Sequence, residues 1–255
     1  MKIAKQRMKV IRAGSFVRAV LYTQSNPSDA EKVRAEKSRI SCEARRRINA
    51  RTSWQKLQLL IECNFGSGDS VLVLNYDHEH LPRNRQEARR KIKSFIRLLR
   101  QSSAFRDLKY IYNIEGRHTG GRVHHHILIN AGTDALPQLC ALWKYGTAND
   151  VHLEPFDAWG SKELAQYMTK EAREDGTYEA GARTWACSQN LTRPEVLPTA
   201  WVDGDVRLEA PLNAHIVLSE QVCNEWGRYS YLEYRLPHPP KQTKARQRKN
   251  KILRA

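Results

Sequence analysis

The segment GRVHHHILIN, residues 121–130, sets three consecutive histidines at the head of a short apolar run. A purification tag or a metal-storage tract would be longer and would not continue into Ile127, Leu128 and Ile129. Alternate side chains of a strand face opposite ways, so His124 and His126 share one face and His125 takes the other. The fold must therefore bring two imidazoles together and find a separate environment for the third.

The segment before it, YIYNIE (110–115), also reads as a strand, and GRHTGG links the two with turn-forming glycines. If residues 118–121 close a four-residue hairpin loop, Arg117 pairs with Arg122, which places Glu115 opposite His124 and Asn113 opposite His126. Glu115, His124 and His126 would then offer a carboxylate and two imidazoles on one face. Such a set suits Mn²⁺, Mg²⁺ or Zn²⁺ with positions open to substrate. A slip of one residue would move Glu115 to the other side, and two histidines on a solvated face would look the same in sequence.

Elsewhere the pattern alternates. VLVLNY (71–76) has the length of a buried strand, and residues 84–101 space Ile92, Phe95, Ile96 and Leu99 as one helix face. DALPQLCALWKY reads as a helix, and DVHLEPF and ARTWACSQ (182–189) read as strands. SKELAQYMTKEARE (161–174) reads as a helix capped by Ser161, with Leu164, Tyr167 and Met168 on one side. The expected fold class is α+β, a central antiparallel sheet with helices packed on it. The expected divisions are a basic helical N-terminal segment (1–60) opening on Ser28-Asp29, a central domain (61–200), an extension (201–240) and a basic tail (241–255).

With 43 Lys and Arg against 27 Asp and Glu, the formal charge is +16. That excess points to a polyanion, of which nucleic acid is the commonest, though a generally basic surface would give the same balance. Arg45, Arg46 and Arg47 either track phosphates or form a solvated helix face. The tail carries seven basic residues and no acidic one, among them Lys241, Lys244, Arg246, Arg248 and Lys249; it is expected to stay disordered until it meets a polyanion. No apolar stretch approaches the roughly 20 residues that cross a bilayer, so a cytoplasmic location without membrane partners is expected. Five scattered cysteines without a C-x-x-C pair argue against a disulfide framework or a zinc ribbon.

Tyr167 and Lys170 lie three apart on the last predicted helix, so their side chains project to the same side. Taken alone, that tyrosine reads as packing. In company it reads differently: SVLVLNY, then IEGRHTGGRVHHHILI, then a helix with Tyr-x-x-Lys occur in this order. The sequence resembles the HUH (histidine, hydrophobic, histidine) endonucleases, in particular the single-tyrosine initiators of rolling-circle replication in plasmids, phages and related elements. The resemblance runs from about residue 48 to about 197 and includes NFGSGDSVLVLNYD and WACSQNLTRPEV. Two positions depart from the pattern: His125 replaces an aliphatic residue, and Leu74-Asn75-Tyr76 stands where Leu-Thr-Tyr is frequent.

The resemblance implies an HUH, RRM-like domain that nicks and rejoins single-stranded or hairpin origin DNA. Tyr167 would be the nucleophile, assisted by Lys170 and by Mn²⁺ or Mg²⁺ on Glu115, His124 and His126. A 5′-phosphotyrosyl intermediate and a free 3′-hydroxyl would result. The chain has no G-x-x-x-x-G-K-[ST] loop, so a host helicase is the expected partner. A transposase or relaxase with the same chemistry is the nearest rival, and a non-catalytic DNA binder with a structural metal is a second.

Overall fold

The computed structural model describes residues 5–23, 42–116, 121–151, 161–171, 183–204, 206–224 and 227–240. It divides into two compact units, Asn26–Arg193 and a second formed by Met1–Ser25 with Pro194–Ala255. The class is α+β, with antiparallel pairing throughout.

The larger unit holds the histidine strand. Its elements are α1 (Cys42–Asn64), β3 (Ser70–Asn75), α2 (Arg85–Gln101), β4 (Tyr110–Glu115), β5 (His124–Ile129), α3 (Leu136–Ala141), β6 (Ala148–Val151), α4 (Lys162–Tyr167) and β7 (Trp185–Cys187). The strands form a sheet in the order β6-β3-β5-β4-β7. Both faces are covered, which is why β3 and β5 read as continuous apolar runs rather than as alternating ones. On one face Leu72, Leu74, Tyr112, Ile114, Ile127 and Ile129 pack with Ile92, Phe95, Ile96 and Leu99 of α2. On the other, Val71, Ile111 and Leu128 meet Leu57, Leu60 and Ile61 of α1 and Leu164, Ala165 and Met168 at α4. The start of α2 is fixed by Asn84, whose side chain accepts from the Glu87 amide.

The expected helix at 161–174 is shorter. It spans Lys162–Tyr167, with residues 172–174 outside the described ones, and Ser161 does not cap it. The buried Ser161 hydroxyl and amide both donate to Glu62 of α1, at 2.8 and 2.7 Å, so the serine fastens one helix to the other. Leu164, Ala165 and Met168 are buried, but Tyr167 stands apart from them at 37% exposed.

The second unit corrects the reading of the N-terminal segment as helical. Residues 6–23 form a hairpin, β1 (Gln6–Ala13) and β2 (Phe16–Thr23), turning at Gly14 with φ 60°. Together with β8 (Glu195–Val196), β9 (Ala200–Val202), β10 (His215–Asn224) and β11 (Gly227–Arg235) they make a six-stranded sheet in the order β10-β11-β2-β1-β8, with β9 also on β1. Arg18, which breaks the apolar run of β2 in sequence, is buried there because its Nε donates to Glu233 at 2.7 Å. That partner is 215 residues away, beyond any local pattern. Ser28-Asp29 and the tail lie outside the described residues. No described helix is long and apolar enough to cross a membrane.

Candidate metal centre

The strand pairing is the one a four-residue loop predicts: Glu115 lies opposite His124 and Asn113 opposite His126. Residues 117–120 of the turn itself lie outside the described ones. Gly116 shows why the strand ends there. It has φ 101°, and a Cβ at this position would sit 2.1 Å from the Arg122 carbonyl oxygen, so only glycine lets β4 close onto β5. Its amide donates to the buried Glu171 carboxylate at 2.9 Å, which ties the hairpin to the chain just after α4.

On the α1/α4 face, three atoms converge. Nε2 of His124 and Nε2 of His126 are 3.2 Å apart, and Glu115 Oε2 lies 3.5 and 3.3 Å from them. A point about 2 Å from all three, the usual length of a metal bond to imidazole nitrogen or carboxylate oxygen, exists close to the plane of that triangle. The donor set therefore fits a divalent ion, with the remaining positions open. Among the described residues it is the one group of this kind.

The supporting contacts set the roles of the atoms. His124 Nδ1 is 2.9 Å from the Arg122 carbonyl oxygen and donates to it, which leaves the Nε2 lone pair for the metal. Asn113 Nδ2 donates to Glu115 Oε1 at 2.7 Å and to the Met168 carbonyl at 2.7 Å. It thereby fixes one carboxylate oxygen and joins β4 to the end of α4, leaving Oε2 for the histidines. Burial alone would raise the Glu115 carboxyl. Hydrogen bonds from His124 and His126, and the charge of Lys170, outweigh that and hold it well below the usual carboxylate range. The same contact with Glu115 raises His124.

Tyr167 and Lys170 come to this cluster from the end of α4. The Tyr167 ring meets the His126 ring edge to face with centroids 5.0 Å apart. Lys170 Nζ is 3.3 Å from Glu115 Oε2 and 4.1 Å from the Tyr167 ring centroid. Burial lowers the Lys170 ammonium, but Glu115 and Tyr167 more than compensate and raise it. The lysine stays charged.

His125 faces the α2 side and is fully buried. Its Nε2 lies 2.6 Å from the Tyr76 hydroxyl, and Tyr76, Tyr112 and Trp143 stand around its ring. Burial lowers its pKa to about 3, so the ring is neutral and Tyr76 donates to it. The third histidine is thus a core residue, and the metal pair is His124 with His126.

Of the expected phosphate contacts, Arg47 is exposed on α1, the helix that also carries Arg45 and Arg46; Lys241, Lys244, Arg246, Arg248 and Lys249 lie outside the described residues. Sequence reading passed over Asn113 as a carboxylate anchor and over a stripe on α2, where Arg85, Arg89, Lys93 and Arg97 recur every four residues. The spacing of that stripe was visible. Three of these residues line a groove with Tyr112 and Trp185.

No curated protein and no solved structure matches the chain significantly. Residues 69–173, which contain every side chain of the cluster, match the family model of the replication-associated protein ORF2, a family of rolling-circle replication initiators, and it is to this family that the segment belongs.

Proposed function

We propose that the protein nicks and rejoins single-stranded DNA at a replication origin, with Tyr167 as the nucleophile. The observation that carries this reading is the meeting of Tyr167, Lys170 and the Glu115–His124–His126 triangle at one end of α4. The family supports DNA as the partner.

The phenol oxygen of Tyr167 attacks a backbone phosphorus and displaces the 3′-oxygen, which takes up a proton and leaves as a free hydroxyl. The 5′ side remains as a phosphotyrosyl ester, which stores the bond for rejoining. A divalent ion, Mn²⁺ or Mg²⁺, on Glu115, His124 and His126 supplies a Lewis acid for the phosphate oxygens. Phenol titrates near pH 10 and is mostly protonated at neutral pH. A charged Lys170 beside the ring stabilises the developing phenolate and the phosphate charge, and its raised pKa makes it an electrostatic partner rather than a base. Asn113 keeps the carboxylate turned to the histidines. Arg89, Lys93 and Arg97, with Arg45–Arg47 and the tail, supply cations for phosphates, giving affinity more than sequence choice. A host helicase is the partner that opens the duplex.

The decisive test is Tyr167→Phe, incubated with Mn²⁺ and an origin oligonucleotide labelled on its 3′ fragment. The unmodified protein should yield a labelled protein band on a denaturing gel and the variant none, with metal and DNA binding retained. An adduct that persists in Tyr167→Phe moves the nucleophile elsewhere; its absence from the unmodified protein overturns the reading.

A further inference from the structure

The six-stranded sheet lies outside the segment matched by the replication family, and one of its faces is unusual. Register defines that face. Arg7 pairs with Trp201 and with Tyr22, Tyr22 with Tyr229, and Tyr229 with Val222, so these five side chains form a row across β9, β1, β2, β11 and β10. Two residues along each strand, Lys9, Val20, Tyr231 and Glu220 form the next row.

The opposite face is the apolar one, with Val17, Ala19, Leu21 and Leu232 buried. An antiparallel sheet covered on one side ordinarily turns polar side chains outward. Here the outward face carries aromatics instead. Trp201 and Tyr229 are 56% and 40% exposed, and Val222 beside Tyr229 is also exposed. The Arg7 guanidinium lies 5.1 Å from the Trp201 ring centroid, and Lys9 is exposed in the next row. Tyr229 stacks on Tyr231 at 14° between planes. The Glu233 charge on this face is taken up by Arg18 and by the Tyr231 hydroxyl.

Exposed rings interleaved with cations on a sheet are what unpaired nucleotides need: bases stack on the rings, and phosphates meet the cations without sequence readout. A protein partner would favour an aliphatic, uncharged patch. From Trp201 on β9 to Tyr229 on β11 is three strand spacings, about 14 Å, room for more than one nucleotide. We infer that this face is a stacking surface for single-stranded DNA, centred on Trp201, Arg7, Tyr22 and Tyr229. The inference rests on the reading of single-stranded DNA as substrate, but not on Tyr167 or the metal.

The test uses the full chain without divalent metal, so that no covalent step contributes. Anisotropy is measured with a labelled oligothymidine and with a duplex of equal length. Trp201→Ala and Tyr229→Ala should each weaken oligothymidine binding by about tenfold, and Trp201→Phe and Tyr229→Phe should restore most of it, with smaller effects on duplex. If an alanine variant has a lowered unfolding midpoint, Trp201→Leu and Tyr229→Leu, which keep apolar bulk without a ring, carry the same expectation. Tryptophan emission should be quenched by oligothymidine, and less so in Trp201→Phe. Unchanged affinity in the ring-less variants, or an equal loss on duplex, overturns the inference. Failure of the unmodified chain to form a DNA adduct with Mn²⁺ would sink the nicking reading while these affinities still decide the stacking surface.

Discussion

His125 and His126 are adjacent in sequence and identical in chemistry, yet the two faces of one sheet make them different reagents. On the α2 face, His125 is enclosed by Tyr76, Tyr112 and Trp143, accepts one hydrogen bond and stays neutral down to a pKa of about 3. On the α1/α4 face, His126 and His124 turn their Nε2 atoms to a carboxylate that Asn113 and Lys170 hold in place. Alternation assigns the faces, and what packs on each face assigns the task. A buried histidine can serve as an aromatic core residue when its neighbours are rings and a hydroxyl, and as a ligand when they are a carboxylate and a second imidazole.

The comparison breaks most sharply by removing one ring from each face. His126→Ala should drop nicking of a labelled single strand below detection, and chelation of the unmodified protein should do the same reversibly. Undiminished cleavage in excess EDTA would remove the metal from the mechanism. His125→Ala should act on stability instead. The lost packing and the stranded Tyr76 hydroxyl together cost about 2–4 kcal/mol, read as a lowered unfolding midpoint in denaturant, with metal binding intact wherever the protein is folded. If His125→Ala costs metal affinity and His126→Ala costs only stability, the assignment of the faces is reversed.

Smaller changes sharpen the same contrast. Asn113→Ala frees the Glu115 carboxylate, and a lost support of this kind typically lowers metal affinity about 10–100-fold, measurable by Mn²⁺ titration. An unchanged affinity would mean that the strand alone orients Glu115. Tyr76→Phe leaves the ring packing and removes the donor to His125, so it should cost about 1–2 kcal/mol of stability and leave the Mn²⁺ titration as it was.

Much of the site could be read from local rules. The two-residue period of a strand separates His125 from its neighbours, and a turn with glycines at its end sets the register that puts Glu115 across from His124. The apolar spacing of 84–101 likewise gives α2 and its buried face. These features depend on geometry that repeats every few residues. The match of Tyr-x-x-Lys to a family pattern named Tyr167 and Lys170, but spacing alone reads that tyrosine as packing.

Contacts between distant segments were decided by tertiary structure alone. Ser161 looks like a cap in sequence, but Glu62 of another helix takes its hydroxyl. Asn113 became an anchor only when the Met168 carbonyl and the Glu115 carboxylate met it from two sides. The first strands were hidden because β2 finds its neighbour in β11, more than 200 residues on, where Glu233 neutralises an arginine that seems to interrupt the apolar run. Sequence by itself determined which side chains share a strand face, since that follows from backbone geometry within a few residues. Which buried charges are paired, and what covers each face, follows from elements brought together across the whole chain, and only the folded protein decides it.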